Sequence, residues 1–383
     1  MYNFDKIAKR ENVSSLKWMY DDVIPMWVAD MDFDTLDVVK EAINKRVELG
    51  ALGYTNTPKE YFIAFKNFFK RHHNIDIDID NMIFSTGVVP AISSMVRSLT
   101  NVGDKIMVMT PTYNIFFNSI LNNKRIPVET NLYYDGKEYK IDFNDFENKI
   151  KDSKMLILCN PQNPVGRIWT KDELEKIGDI CNKYNVIVLS DEIHCDIVTP
   201  GMKYVPFISV NDICKNISVT CVSASKCFNL AGLQGALVII NNKELYKKAN
   251  RGLNTDEVAE GNVFVYDAFI AALNNGDEWL EKMNKYVYEN KLYLKDFLEK
   301  NIPSMKYHFG DATYLAWVDV SQITDDGYKF CEYLKDNFKV YFSYGEEYGK
   351  SFKGFIRINL ATSRKNVIEG LNRLLKGVKD FKK

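Results

Sequence analysis

Val219-Thr220-Cys221-Val222-Ser223-Ala224-Ser225-Lys226-Cys227-Phe228-Asn229-Leu230-Ala231-Gly232-Leu233-Gln234-Gly235 is the stretch that decides the fold. Its first four residues are apolar or β-branched without alternation, and the chain then breaks into small residues around one lysine. A run apolar at every position reads as a strand buried on both faces, as in a parallel sheet covered by helices. The same grammar recurs upstream. Met82-Ile83-Phe84 precedes Ser85-Thr86-Gly87 and an amphipathic helix over residues 90–99, and residues 106–109 precede Thr110-Pro111-Thr112-Tyr113. Residues 155–158 precede Asn160-Pro161-Gln162-Asn163-Pro164, and residues 186–189 precede Ser190-Asp191-Glu192. Repeated strand, loop and helix punctuation predicts an α/β chain with a mostly parallel central sheet flanked by helices. Ligands in such folds gather at the carboxyl ends of the strands.

Downstream, the apolar spacing predicts a long helix over residues 278–300, a strand over 313–320 and a last helix over 366–378. These belong to a smaller α+β domain, so the expected division is residues 46–285 as the large domain, with 1–45 and 286–383 forming the small one. The first 45 residues carry no sheet signature and are expected to pack against the C-terminal part.

Length and charge narrow the partners. A chain of 383 residues should hold about two domains. Its 50 Lys+Arg against 51 Asp+Glu give a net charge of −1, which removes a bulk electrostatic case for nucleic acid or an anionic membrane. The longest apolar runs fall far short of the roughly 20 residues of a membrane helix. The expected partner is a small molecule. The opening Met1-Tyr2-Asn3-Phe4-Asp5-Lys6 lacks the basic flank and apolar stretch of a secretory signal, so a cytoplasmic location is expected. Seven scattered cysteines without a Cys-x-x-Cys pair suggest reduced thiols rather than disulfides or structural zinc. The adjacent His72 and His73 read as solvated polar residues, and no metal is assigned.

Lys226 directly follows a buried strand and is bracketed by small residues, which places it at a sheet edge. A desolvated amine there has a lowered pKa and is nucleophilic, as Schiff-base chemistry requires. Asp191 also closes a buried strand. By itself it reads equally well as an N-cap. Together, an amine and a carboxylate delivered to one sheet edge are the two anchors of pyridoxal phosphate: the amine holds the aldehyde, and the carboxylate keeps the ring nitrogen protonated.

Other positions fit that cofactor less specifically. Asn163 sits in a Pro-bracketed loop, either as an ordinary Asx turn or as a donor to the phenolic oxygen. Gly87 and Val88 open a helix with Pro90 in its first turn, whose free amides suit a phosphate. Ser223 and Ser225 add hydroxyls beside the lysine, and Tyr113 follows a strand closely enough to stack on a flat heterocycle. Arg357 lies inside the apolar strand Gly354-Phe355-Ile356-Arg357-Ile358-Asn359-Leu360-Ala361 and needs an anion, either an internal carboxylate or a substrate α-carboxylate. Trp27-Val28-Ala29-Asp30-Met31-Asp32 is either a cover over a substrate cleft or a rigid turn.

These motifs, in this order and across nearly the whole chain, resemble the fold-type-I pyridoxal-phosphate enzymes. Within them the chain is most similar to the cystathionine β-lyase, or carbon–sulfur lyase, branch of the aminotransferase superfamily. The likeness rests on the Trp27 motif, Gly53-Tyr54-Thr55, Pro111-Thr112-Tyr113-Asn114, Asn160 to Gly166, Ser190-Asp191-Glu192-Ile193-His194, Ser223 to Lys226, and Arg357 to Ala361.

The resemblance implies Lys226 as the cofactor-binding catalytic lysine and Asp191 at the ring nitrogen. It puts Asn163 and His194 near the phenolic oxygen, Tyr113 over the ring, and Gly87, Val88, Ser223 and Ser225 at the phosphate. Arg357 would bind the substrate carboxylate, with Tyr54, Tyr113 and Asn163 also facing the substrate. Tyr54 would reach the neighbouring subunit's cofactor, so a homodimer with shared sites is implied. Typical aminotransferases carry an arginine eight residues after the lysine, and here that position is Gln234, as in the lyase branch. The implied activity is β-elimination on a sulfur amino acid. An aminotransferase, and a cofactor-binding regulator acting through a protein partner, remain the alternatives.

Overall fold

The computed structural model describes residues 2–8, 10 and 13–381. Its central feature is a seven-stranded sheet in the order Met82–Ser85, Ala236–Ile239, Ser218–Val222, Ile187–Asp191, Met155–Cys159, Lys105–Thr110, Ile126–Asn131. Only Ala236–Ile239 runs antiparallel to its neighbours. The expectation of a mostly parallel sheet flanked by helices holds. Ser218–Val222 and Met155–Cys159 are buried at every position, as their unbroken apolar runs require when helices cover both faces.

Register positions the site. Cys159 pairs with Asp191, and Asp191 pairs with Cys221, so the carboxylate ends its strand beside the one that leads into Lys226. The helix Val88–Leu99 starts at Gly87, with Pro90 in its first turn where no amide is needed for the helix ladder. A side chain on Gly87 would meet Pro90 Cδ at 3.2 Å, which favours glycine there.

A second, antiparallel sheet runs Lys306–His308, Leu315–Asp319, Phe355–Asn359, Ser343–Tyr344. It encloses its own core with residues of the helices Asp277–Asn301, Gly327–Phe338 and Arg364–Phe381. Arg357 lies mid-sheet, paired with Trp317 on one side and Ser343 on the other.

The first 45 residues do not go to one place. Val23 and Met26 enter the core of the second sheet, and Ile24–Pro25 pairs in parallel with Val340–Tyr341. Met31, Phe33, Leu36 and Val39 instead join a core with Tyr61, Phe65 and Phe269, on helices that cover the central sheet. Residues 27–32 cross between these two cores. Among the described residues, no helix is long and apolar enough to span a membrane.

His73 corrects an expectation. It is not solvated: its Nε2 bonds Asp196 Oδ1 at 2.7 Å, and both side chains are nearly inaccessible. Burial works to raise the Asp196 pKa, but the bond to His73 overrides it and holds the carboxyl below its ordinary value. His73, Cys195 and Asp196 offer ligand atoms within 4.8 Å of one another, yet the histidine and the acid already satisfy each other.

Candidate active site

At the carboxyl edge of the central sheet lies a cavity of about 220 Å³. Its walls bring together Gly87, Val88, Tyr113, Asn163, Asp191, His194, Ser225 and Lys226. These positions are scattered over 140 residues of sequence and meet because each follows, or closes, a strand of one sheet.

Lys226 Nζ donates to the carbonyl oxygen of Ala29 at 2.5 Å. Burial pushes its pKa down to about 8, with Asp30 and Asp191 opposing the shift and Arg357 adding to it. A fraction of the amine is therefore neutral near pH 7, as a nucleophile must be. For Asp191, burial pushes the pKa up to about 7, while the amide of Ile193, donating to Oδ1 at 3.1 Å, resists. Lysine and aspartate are close enough for each charge to act on the other. A cation placed against Asp191, such as a protonated ring nitrogen, would restore its charge.

His194 is buried, and burial, reinforced by the positive Lys226 and Arg357, holds its pKa down to about 3. Its imidazole is neutral, and Nδ1 is buried without a hydrogen-bond partner. Burial also pushes the Tyr113 phenol up, so that ring is uncharged.

Arg357 makes no ion pair among the described residues, which removes the internal carboxylate as its partner. It donates to Asn163 Oδ1 at 3.3 Å and to the Trp27 carbonyl at 2.9 Å, and its guanidinium lies 4.8 Å from the Tyr348 ring centre. Its Nε is buried and unbonded. A guanidinium buried this way without an anion suits a carboxylate brought by a ligand.

Two expected residues lie elsewhere. Ser223 is set back: its hydroxyl donates to the Gly235 carbonyl at 2.6 Å and accepts the Ser225 amide at 3.0 Å, which fixes the turn that carries Ser225 and Lys226. Tyr54 is fully exposed, away from the cavity.

The structure also adds residues that sequence reasoning passed over. Tyr314, fully buried, donates to the Ala29 carbonyl at 2.9 Å and stands edge-on to His194. Ala29 acts through its backbone oxygen, which any residue supplies, so residue type gave no signal. Gln234, already singled out in the sequence, lines the cavity as well.

Comparisons with known proteins identify the family and the fold. The model of aminotransferase class I and II matches residues 21–374. Cystathionine beta-lyase PatB of Bacillus subtilis is 35% identical over 97% of this chain and 98% of its own. Cystalysin of Treponema denticola, whose structure contains pyridoxal 5′-phosphate, superposes with a TM-score of 0.95 at 34% identity, covering 99% of each chain. The pyridoxal-phosphate-bound C-S lyase of Staphylococcus hominis gives a TM-score of 0.92 at 34% identity, covering 99% of this chain and 98% of its own. With a family model spanning most of the sequence and a lyase relative aligned almost end to end, this chain belongs to the aminotransferase class I and II family.

Proposed function

We propose that this chain is a pyridoxal-phosphate-dependent carbon–sulfur lyase of the cystathionine β-lyase type. It removes the sulfur substituent from Cβ of an L-amino acid and releases pyruvate, ammonia and a thiol. One observation carries the reading: a depressed lysine and an elevated aspartate share a cavity that an unpaired arginine adjoins. The residues fit the cofactor. His194 Nδ1 is an orphaned buried polar atom, Asp191 has no bonded cation, and the amides that start the helix Val88–Leu99 have no acceptor within that helix.

When bound, the cofactor supplies an electron sink for the pair left as the Cα proton departs. The chain's residues do the rest. Lys226 Nζ would hold the cofactor at rest and serve as general base for the Cα proton during turnover. Asp191 would keep the proton on the ring nitrogen. Asn163, whose Oδ1 is engaged by Arg357, has Nδ2 left to donate toward the phenolic oxygen, near His194. Tyr113 would cover the ring. Gly87, Val88 and Ser225 would hold the phosphate, with Ser223 shaping their turn, and Arg357 would bind the substrate carboxylate.

The fully exposed Tyr54, together with exposed Leu49 and Leu52, supports a homodimer in which Tyr54 enters the neighbouring site. The seven buried, unpaired cysteines support a reducing, cytoplasmic setting. The core under the second sheet, which takes in Val23 and Met26, supports a small domain drawn from both ends of the chain beside a large domain at 46–285, with Met31, Phe33, Leu36 and Val39 packing on the large-domain side.

The deciding experiment supplies cystathionine to the purified protein without any keto acid. Pyruvate and thiol should accumulate over many turnovers. Cessation after about one equivalent per site would identify an aminotransferase instead.

A further inference from the structure

Residues 27–30 belong to no sheet, yet every one of their carbonyl oxygens accepts a bond from a polar side chain at or beside the site. Trp27 O takes Arg357 Nη2 at 2.9 Å and Ser343 Oγ at 3.1 Å. Val28 O and Asp30 O share Asn359 Nδ2 at 2.5 and 2.7 Å. Ala29 O takes both Lys226 Nζ and the Tyr314 hydroxyl. The segment is thus a row of acceptors that aims the catalytic amine and the arginine. Its conformation cannot come from a β-ladder, so something else must fix it.

Backbone bonds anchor the segment's ends, from Asn359 N to Met26 O at 2.8 Å and from Asp32 N to Ala361 O at 2.9 Å, and an ion cluster braces its acidic residues. Lys17 is 1% exposed, and its Nζ lies 3.0 Å from Asp32 Oδ1, 3.4 Å from Asp30 Oδ1 and 3.2 Å from Asp30 O. The Lys17 carbonyl accepts Trp27 Nε1 at 3.1 Å, so the same residue grips the segment at both ends. Arg10 adds a bond to Asp30 Oδ2 at 2.7 Å, and Trp18 Nε1 donates to Asp32 Oδ1 at 3.0 Å. A buried ammonium is costly to desolvate, and two long cations crossed on two acids hold one geometry.

We propose that Lys17 is a positioning residue for the reaction: through Asp30 and Asp32 its ammonium sets the carbonyl row of residues 27–30, and so the aim of Lys226 and Arg357. The inference rests on the cofactor reading above. It assigns to the N-terminal segment a role in turnover, exerted without touching substrate.

Removing Lys17 alone leaves two acids facing one arginine and risks misfolding. The test therefore pairs Lys17→Met with the double variant Lys17→Met/Asp32→Asn, which takes out one charge of each sign. Each protein is reconstituted with pyridoxal phosphate and scored per bound cofactor by its visible absorbance.

In the double variant kcat should fall and KM should rise together, for a loss of about 10- to 100-fold in kcat/KM. In Lys17→Met, if it folds, the pH midpoint of the absorbance should move upward, because Asp30 then acts on the lysine with less compensation while Arg357 and Asp191 stay in place. A double variant with wild-type kcat and KM per bound cofactor would overturn the proposal, even if it melts earlier, since that pattern belongs to a purely structural residue. Failure of the wild-type protein to bind the cofactor would instead sink the functional reading, so the two failures are distinguishable.

Discussion

Lys226 and Asp191 show how a single strand end sets chemistry. Both were legible in the sequence because each follows an unbroken apolar run, and burial of a strand's end is what displaces a pKa. The consequence for Lys226 can be measured on the cofactor-free protein. Its pKa is about 8 in the fold, against an ordinary value of 10.5, so the folded chain binds fewer protons than the unfolded one between those values. The unfolded state then holds more protons, and stability must rise with pH across that window. Put the other way, the penalty of charging a buried amine lifts as pH climbs from 8 toward 10.5. Apo wild-type protein should therefore gain melting temperature over that range relative to apo Lys226→Met, and parallel curves for the two would contradict the assignment. Residue types such as Lys, Asp and Arg announce themselves; the acceptor at Ala29 does not, because a carbonyl oxygen is common to all residues.

At the scale of elements, the loop bearing Asn163 is held by close packing. Gly166 adopts φ +72°, and a Cβ there would lie 2.7 Å from Ala312 O and 3.1 Å from Gly310 Cα. The backbone touches backbone, so neither partner can give way cheaply. Gly166→Ala should cost about 1–3 kcal/mol in stability and weaken cofactor binding by displacing Asn163, read by thermal melting and by titration of the visible absorbance. Unchanged values for both would show that the two loops are less tightly coupled than their spacing implies. Lys291 braces the facing loop from the long helix Asp277–Asn301, with Nζ donating to Gly310 O at 3.1 Å and Ala312 O at 3.0 Å. None of this bracing was visible in the sequence, where residues 306–314 mix apolar and polar types without period. The helices were, to within a few residues: 278–300 was expected and Asp277–Asn301 is found, because long apolar periodicity survives tertiary context. The N-terminal 45 residues were misjudged as one packing unit, since their short apolar clusters give no hint of which core each will join.

For the whole molecule, the exposed Tyr54 offers a decisive cross-subunit experiment. Lys226→Ala and Tyr54→Ala should each be nearly inactive by itself. If the proposed shared-site dimer is right, co-refolding them should give mixed dimers in which one of the two sites has both an intact lysine and an intact partner tyrosine, restoring about a quarter of full activity at most. No recovery on mixing would mean that each subunit completes its own site. The seven cysteines carry a different consequence. All are buried, and burial raises the thiol pKa of each one above its ordinary value. Exchange with a disulfide needs a thiolate within reach, and here there is neither charge nor access. An exposed thiolate would form a mixed disulfide with any oxidised form of the thiol that the reaction releases. This chain is built to be inert to what it makes: an aromatic disulfide reagent should label none of its cysteines while folded and all seven once guanidinium opens it.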